Sequence, residues 1–141
     1  MNSSVHTDPQ SSYSRLYALE KLSVVSDYSL IRTSCVLIIG IGGIGSILSE
    51  MLCRLKIGKL ILIDYDYVEE ANMNRLFYTP SQIGKSKTEA AKETLEAINP
   101  EVMIEVYNLD ITVEEGYQKL ITLIECGGCE AMKSEIKRKE K

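Results

Sequence analysis

A chain of 141 residues, 45% apolar and 26% charged, has the size and balance of a single globular domain. Its formal charge of −4 has the wrong sign for a polyanion, which sets nucleic acid aside as a main partner. The longest apolar run, Cys35 to Ile39, is far shorter than the ~20 residues a membrane-spanning helix needs. The polar N-terminus (Asn2, Ser3, Ser4, Asp8, Ser11, Ser12) lacks the basic-then-apolar pattern of a signal peptide, so the four cysteines are expected as reduced thiols in the cytoplasm.

Residues 1–12 are Ser-rich and read as a flexible leader. From Tyr13 the pattern becomes helical, with Leu16, Leu19 and Leu22 three apart. Asp27 is placed to cap a second short helix ending near Arg32. Cys35-Val36-Leu37-Ile38-Ile39 is apolar throughout, the pattern of a parallel strand covered on both faces. The cluster Gly40-Ile41-Gly42-Gly43-Ile44-Gly45 follows directly. Ile44, Ile47, Leu48, Met51, Leu52 and Leu55 then recur at helical spacing, and Gly58 stands where that helix is expected to end. Leu60 to Ile63 reads as a second buried strand, closed by Asp64.

Residues 65–85 are polar and aperiodic, as in a functional loop. Ser86 with Glu89 predicts a capping box that opens a helix through Ala90, Ala91, Leu95 and Ile98, stopped by Asn99-Pro100. Val102 to Tyr107 predicts a third strand. Thr112 with Glu115 predicts another capping box, with Tyr117, Leu120, Ile121 and Ile124 facing inward. Beyond Cys126-Gly127-Gly128-Cys129 a charged tail runs to Lys141. No segment repeats. A strand, glycine turn, helix and strand in that order predict a right-handed crossover. The class is α/β, a Rossmann-like and mostly parallel sheet with helices on both faces.

The glycines carry the first chemical signal. Backbone N–H groups of such a turn, with the helix N-terminus behind them, form an anion site, and Gly40, Gly42 and Gly45 have the spacing that lets phosphates approach. Asp64 ends the next strand, where an acid holds ribose hydroxyls. An NAD-dependent oxidoreductase accounts for this much, and tight strand–helix packing alone accounts for the glycines. Neither accounts for Asp66, for Asn72-Met73-Asn74-Arg75, or for Lys87. Taken singly, Arg75 and Lys87 are ordinary solvated cations. Beside the glycine turn they bring positive charge toward a triphosphate.

Together, Gly40 to Gly45, Asp64-Tyr65-Asp66, Val68-Glu69, Asn72 to Arg75 and Lys87 resemble the nucleotide site of ubiquitin-like-modifier-activating enzymes. Bacterial adenylyltransferases of thiamine and molybdopterin synthesis share that site. Tyr13 to Leu16, Val25 to Tyr28, Ile31 to Thr33, Gly58 to Leu60, Ala71 to Phe77 and Ile98 to Pro100 resemble the branch that activates the ubiquitin-fold modifier in ufmylation. The resemblance covers residues 13–125 and implies an ATP-binding adenylation domain there. It implies that Gly43 and its neighbouring glycines contact the ATP phosphates. Asp64 would hold the ribose, and Asp66 would lie near Mg²⁺ and the phosphates. Asn72, Asn74 and Arg75 would line the α- and γ-phosphate region, Lys87 would contact phosphate, and Asp110 would lie beside the adenosine. Arg75 and Lys87 are the implied catalytic pair. Arg15 resembles an arginine that reaches into a partner subunit's ATP site, so a homodimer is implied. The implied partners are the ubiquitin-fold modifier and its conjugating enzyme.

The implied reaction is attack by a modifier's C-terminal carboxylate on the α-phosphate of ATP, giving an acyl-adenylate and pyrophosphate. That carboxylate is ionised at pH 7, so the site needs cations and N–H donors rather than a general base. The single histidine, His6, lies in the leader and has no role here. In the complete family enzymes a further strand, a catalytic cysteine and two zinc-binding cysteine pairs come next; this sequence lacks them. The expectation is therefore a truncated form ending after the third or fourth βα unit. In the order 3-2-1-4 its first strand would lack one neighbour, and no thioester would form. With no second pair to complete a zinc site, Cys126 and Cys129 read as incidental loop thiols, and Cys35 and Cys53 as small apolar residues. A non-catalytic fragment that binds a complete subunit is the remaining alternative.

Overall fold

The computed structural model describes residues 14–24 and 26–126. The expected leader with His6, Cys129 and the charged tail lie outside them. Helices α1 (Ser14–Lys21) and α2 (Tyr28–Thr33) precede the sheet, and Asp27 caps α2 as expected, its Oδ1 accepting the Ser29 N–H at 2.8 Å. Strand β1 (Cys35–Ile39), helix α3 (Gly43–Arg54), strand β2 (Lys59–Asp64), helix α4 (Lys87–Ile98), strand β3 (Met103–Asn108) and helix α5 (Glu114–Cys126) come after them in chain order. Two short 3-10 turns, Glu70–Asn72 and Pro80–Gln82, punctuate the long loop.

The sheet is parallel in the order β1-β2-β3, with Leu60 opposite Val36 on one side and Ile104 on the other. Central β2 is buried from Leu60 to Asp64. Leu60 and Leu62 pack with Ile38 and Ile104 against Cys53 of α3 and Ala90, Ala91 and Leu95 of α4. Ile63 turns to the opposite face, where it meets Leu120 and Ile124 of α5 together with Leu37. Cover on both faces is why β2 is apolar from Leu60 until Asp64. Among the described residues β1 has a strand on one side only, the first three places of the expected 3-2-1-4 order.

Helix α3 departs from the sequence expectation in which face it buries. Its apolar stripe is exposed: Ile44 retains 84% of its surface and Met51 60%, with Ile47 and Leu48 beside them. The buried face consists of Gly45, Ser46, Ser49 and Cys53. Close approach decides this, because a Cβ at Gly45 would overlap the Gly40 carbonyl oxygen, and only small residues let the helix lie against the turn. The end of α3 also differs. Lys56, at φ +60°, takes the left-handed position expected of Gly58. Gly58 serves another need, since a Cβ there would overlap the Arg32 carbonyl oxygen at the end of α2.

Helix α5 begins at Glu114 rather than under a Thr112 cap, because the Thr112 hydroxyl donates to Asp110 Oδ1 at 2.6 Å. Leu120 and Ile124 face inward as expected, whereas Tyr117 is half exposed. The helix also runs through Cys126, which the sequence placed in a loop.

Candidate nucleotide site

The site is built where β1 meets α3. Gly40 leaves the strand at φ +86°, a left-handed conformation that favours glycine, and its N–H donates to the Ile63 carbonyl at 2.7 Å. Gly42 occupies the N-cap position of α3 with no side chain to satisfy the first turn, and Gly43 begins the helix, exposed. The first N–H groups of α3 therefore have no intrahelical partner and carry the positive end of its dipole. Gly40 and Gly42 to Gly45, with Leu37, Ile38, Ile39, Ile44 and Leu48, line an open cleft of about 560 Å³. A phosphate suits such a donor set.

Asp64 ties this turn to the sheet. Only 8% exposed, it accepts the Ile41 N–H on Oδ2 at 2.7 Å and the Asp66 N–H on Oδ1 at 2.8 Å. On the far side of the turn the buried Tyr78 hydroxyl donates to the Ile41 carbonyl at 2.7 Å. Burial, and then the neighbouring Asp64 carboxylate, push the Tyr78 phenol well above its ordinary range and keep it a donor.

The ends of the long loop close on each other. Tyr67 and Ser86 form an antiparallel bridge, flanked by the Val68 N–H to the Lys85 carbonyl and the Lys87 N–H to the Asp66 carbonyl, both 2.9 Å. Lys87 thereby starts α4 beside Asp66, and its Nζ lies 2.8 Å from Asp66 Oδ2. The lysine side chain is 11% exposed and the aspartate 49%. Ser86 caps α4 as expected, its hydroxyl accepting the Glu89 N–H at 3.3 Å.

Residues 13–127 match the model of the ThiF family. The chain belongs to the ThiF family. Over 118 residues it is 55% identical to ubiquitin-like modifier-activating enzyme 5 of Rattus norvegicus, a match covering 84% of this chain and 29% of that protein. The protein of the same name from Drosophila mojavensis is 55% identical over 116 residues, 82% of this chain and 29% of the relative. This chain thus spans less than a third of the length of these curated relatives. Its fold superposes on E. coli MccB crystallised with ATP, with a TM-score of 0.62 and 33% identity, over 65% of this chain and 28% of that one. E. coli tRNA N6-threonylcarbamoyladenosine dehydratase, in complex with ATP, gives a TM-score of 0.60 and 32% identity over 67% and 40%.

In this ThiF-family chain the turn from Gly40 to Gly45, Asp64, Asp66 and Lys87 are joined by backbone and side-chain bonds into one unit. The other sequence candidates bond within their own turns. Asn72 is buried, its Oδ1 accepting the Glu69 N–H at 3.0 Å. Arg75 is exposed, and its Nη1 donates to the Ala71 carbonyl and to Asn74 Oδ1, both 3.0 Å. Asp110 accepts the Thr112 hydroxyl and N–H on Oδ1, bonds that hold its carboxyl below the usual range. Arg15 is exposed on α1. Sequence reasoning missed Tyr78 and Gln82. Gln82 Nε2 donates to the Ala90 carbonyl at 3.0 Å, fastening the loop to α4. Its signal was legible, since Thr79 with Gln82 around Pro80 is a capping box, and the structure forms it. Tyr78 offered none beyond being aromatic.

Proposed function

We propose that residues 13–125 form the nucleotide-binding part of an adenylate-forming enzyme that activates the C-terminal glycine of a ubiquitin-fold modifier. The observation that carries this reading is the Lys87–Asp66 pair held beside the glycine turn that Asp64 anchors. Lys87 and the open N–H groups of α3 supply positive charge to the phosphates, where negative charge grows as pyrophosphate leaves. Asp64, buried and held through both oxygens, has oxygen lone pairs left for ribose hydroxyls. Arg75 and Asn74 sit on an exposed turn and reach the phosphates by exchanging their present partners for the nucleotide. Asp110 lies beyond β3 and serves the adenosine side.

Magnesium fits the donor set as a companion of the nucleotide. No group of three or more His, Cys, Asp or Glu able to hold a metal occurs among the described residues. One half-exposed carboxylate, Asp66, suits a small hard cation that takes most of its oxygens from phosphate and water. When bound, that ion would neutralise phosphate charge. Zinc belongs to the complete relatives in this reading, as do the catalytic cysteine, the homodimer completed by Arg15, and transfer to a conjugating enzyme, all in the cytoplasm.

Thermal unfolding of the purified chain tests the reading, with ATP–Mg²⁺ against NAD. Ligand at ~100 times its dissociation constant adds about 2.7 kcal/mol if the native site binds it. A shift with ATP–Mg²⁺ and none with NAD is expected, followed by modifier-dependent exchange of pyrophosphate into ATP. Binding of NAD alone would overturn it.

A further inference from the structure

The Ile41–Gly42 peptide sits between the sheet and the cleft, and the buried Tyr78 hydroxyl holds its carbonyl at 2.7 Å. All peptides of the described chain are trans, so the N–H of each peptide unit points opposite to its C=O. Fixing the Ile41 carbonyl toward buried Tyr78 therefore turns the Gly42 N–H away from it, toward the open side of the turn. Asp64 fixes the preceding peptide through the Ile41 N–H at 2.7 Å. With consecutive peptide planes each anchored by a buried side chain, the N-cap donor of α3 has little freedom to rotate. A donor set oriented before the ligand arrives binds an anion without the cost of ordering the loop.

We propose that Tyr78 is a positioning residue that sets the direction of the Gly42 N–H and through it the affinity of the turn for a phosphate group. This rests on the nucleotide reading above. Two features support a hydroxyl role beyond ring packing. Tyr78 is only 5% exposed, so no solvent competes for the Ile41 carbonyl, and the hydrogen bond joins residues 37 apart in sequence, from a loop that otherwise touches the turn through side-chain packing. A hydrogen bond into the carbonyl also polarises the shared peptide and strengthens its N–H as a donor.

The experiment uses the full ¹⁵N-labelled chain and the variant Tyr78→Phe, which keeps the ring and removes one hydroxyl. Expected in the free variant is a displaced Gly42 amide resonance with faster hydrogen exchange, while amides in the middle of α3 stay in place. ATP affinity falls about five- to tenfold, the worth of one hydrogen bond, while adenosine, which has no phosphate, binds as before. A Gly42 amide that does not move overturns the inference, as does an equal loss of ATP and adenosine affinity, which marks general loosening. If the wild-type chain binds no ATP, the adenylation reading fails, and the Gly42 resonance of the free chain still decides the role of Tyr78. Should Tyr78→Phe fail to fold, 3-fluorotyrosine at position 78 gives the same reading. The ring fluorine acidifies the hydroxyl and so makes it a stronger donor, and a Gly42 amide indifferent to it refutes the inference.

Discussion

Replacing Asp64 tests the central joint of the site. Its carboxylate accepts the N–H groups of Ile41 and Asp66, at 2.7 and 2.8 Å. Each is a hydrogen bond to a charged group, worth about 1.5–3 kcal/mol net. The two bonds differ in how much their loss costs. Ile41 is fully buried, so its N–H has no water to turn to, whereas the exposed Asp66 can be resolvated. Asp64→Ala removes both acceptors and is expected to destabilise the chain by about 3–4 kcal/mol. Asp64→Asn keeps one oxygen and places an N–H₂ against the other donor, for a loss of about 2 kcal/mol. Urea denaturation with the slope held common measures this, and for a domain of this size the melting midpoint falls by about 4 °C per kcal/mol. Because Asp64 and Tyr78 hold neighbouring peptides of one turn, the double variant with Tyr78→Phe should depart from additivity by at least about 0.5 kcal/mol. A loss below about 1 kcal/mol for Asp64→Ala would refute the reasoning, since it would mean that the Ile41 N–H finds another partner at no cost.

Gly45→Ala places a Cβ onto the Gly40 carbonyl oxygen, backbone that cannot give way without moving the turn, and should cost about 2–4 kcal/mol by chemical denaturation. Ile47→Ser on the exposed stripe of α3 should change stability by no more than about 0.5 kcal/mol, and a large loss would show that this face is covered. Stability should fall as pH rises above 10. The folded chain opposes ionisation of Tyr78, so its contribution is complete below the free phenol's value of 10.0 and is lost above it; Tyr78→Phe should flatten that alkaline limb. At the acid end the opposite sign applies. Lys59 holds Glu105 below its ordinary value of 4.5, so the stability from that pair is present above that pH and lost below it, and Lys59→Met should weaken the acid dependence.

Local pattern made much of this molecule legible. A five-residue apolar run with β-branched residues marked Cys35–Ile39 as a parallel strand, which it is, although cover on both faces is incomplete and Ile39 at its end stays 46% exposed. Asp27 and Ser86 could be read as caps because a side-chain oxygen two or three residues ahead of an unpaired N–H satisfies it locally. The glycine turn and the acid closing β2 were legible for a similar reason, since their spacing is a backbone requirement met within one strand–helix–strand unit. That unit pointed to a Rossmann-like parallel sheet, and the order β1-β2-β3 agrees with it.

Features that depend on distant contacts were not legible. The apolar stripe of α3 announced an amphipathic helix without saying which side would meet the sheet. The close approach of Gly45 to Gly40 chose the small-residue side, because backbone can come that near only where no Cβ intervenes. Gly58 was read as a helix stop by its position, yet its neighbour is Arg32 at the end of α2, well before it in the chain. Tyr78 carried no motif at all, since its meaning lies in a carbonyl 37 residues away. Sequence alone thus determined the main elements and their order, each set by residues within a few positions of one another. Only the tertiary structure decided which faces pack and which buried groups hold the turn in place, because those choices rest on contacts between segments that no local spacing encodes.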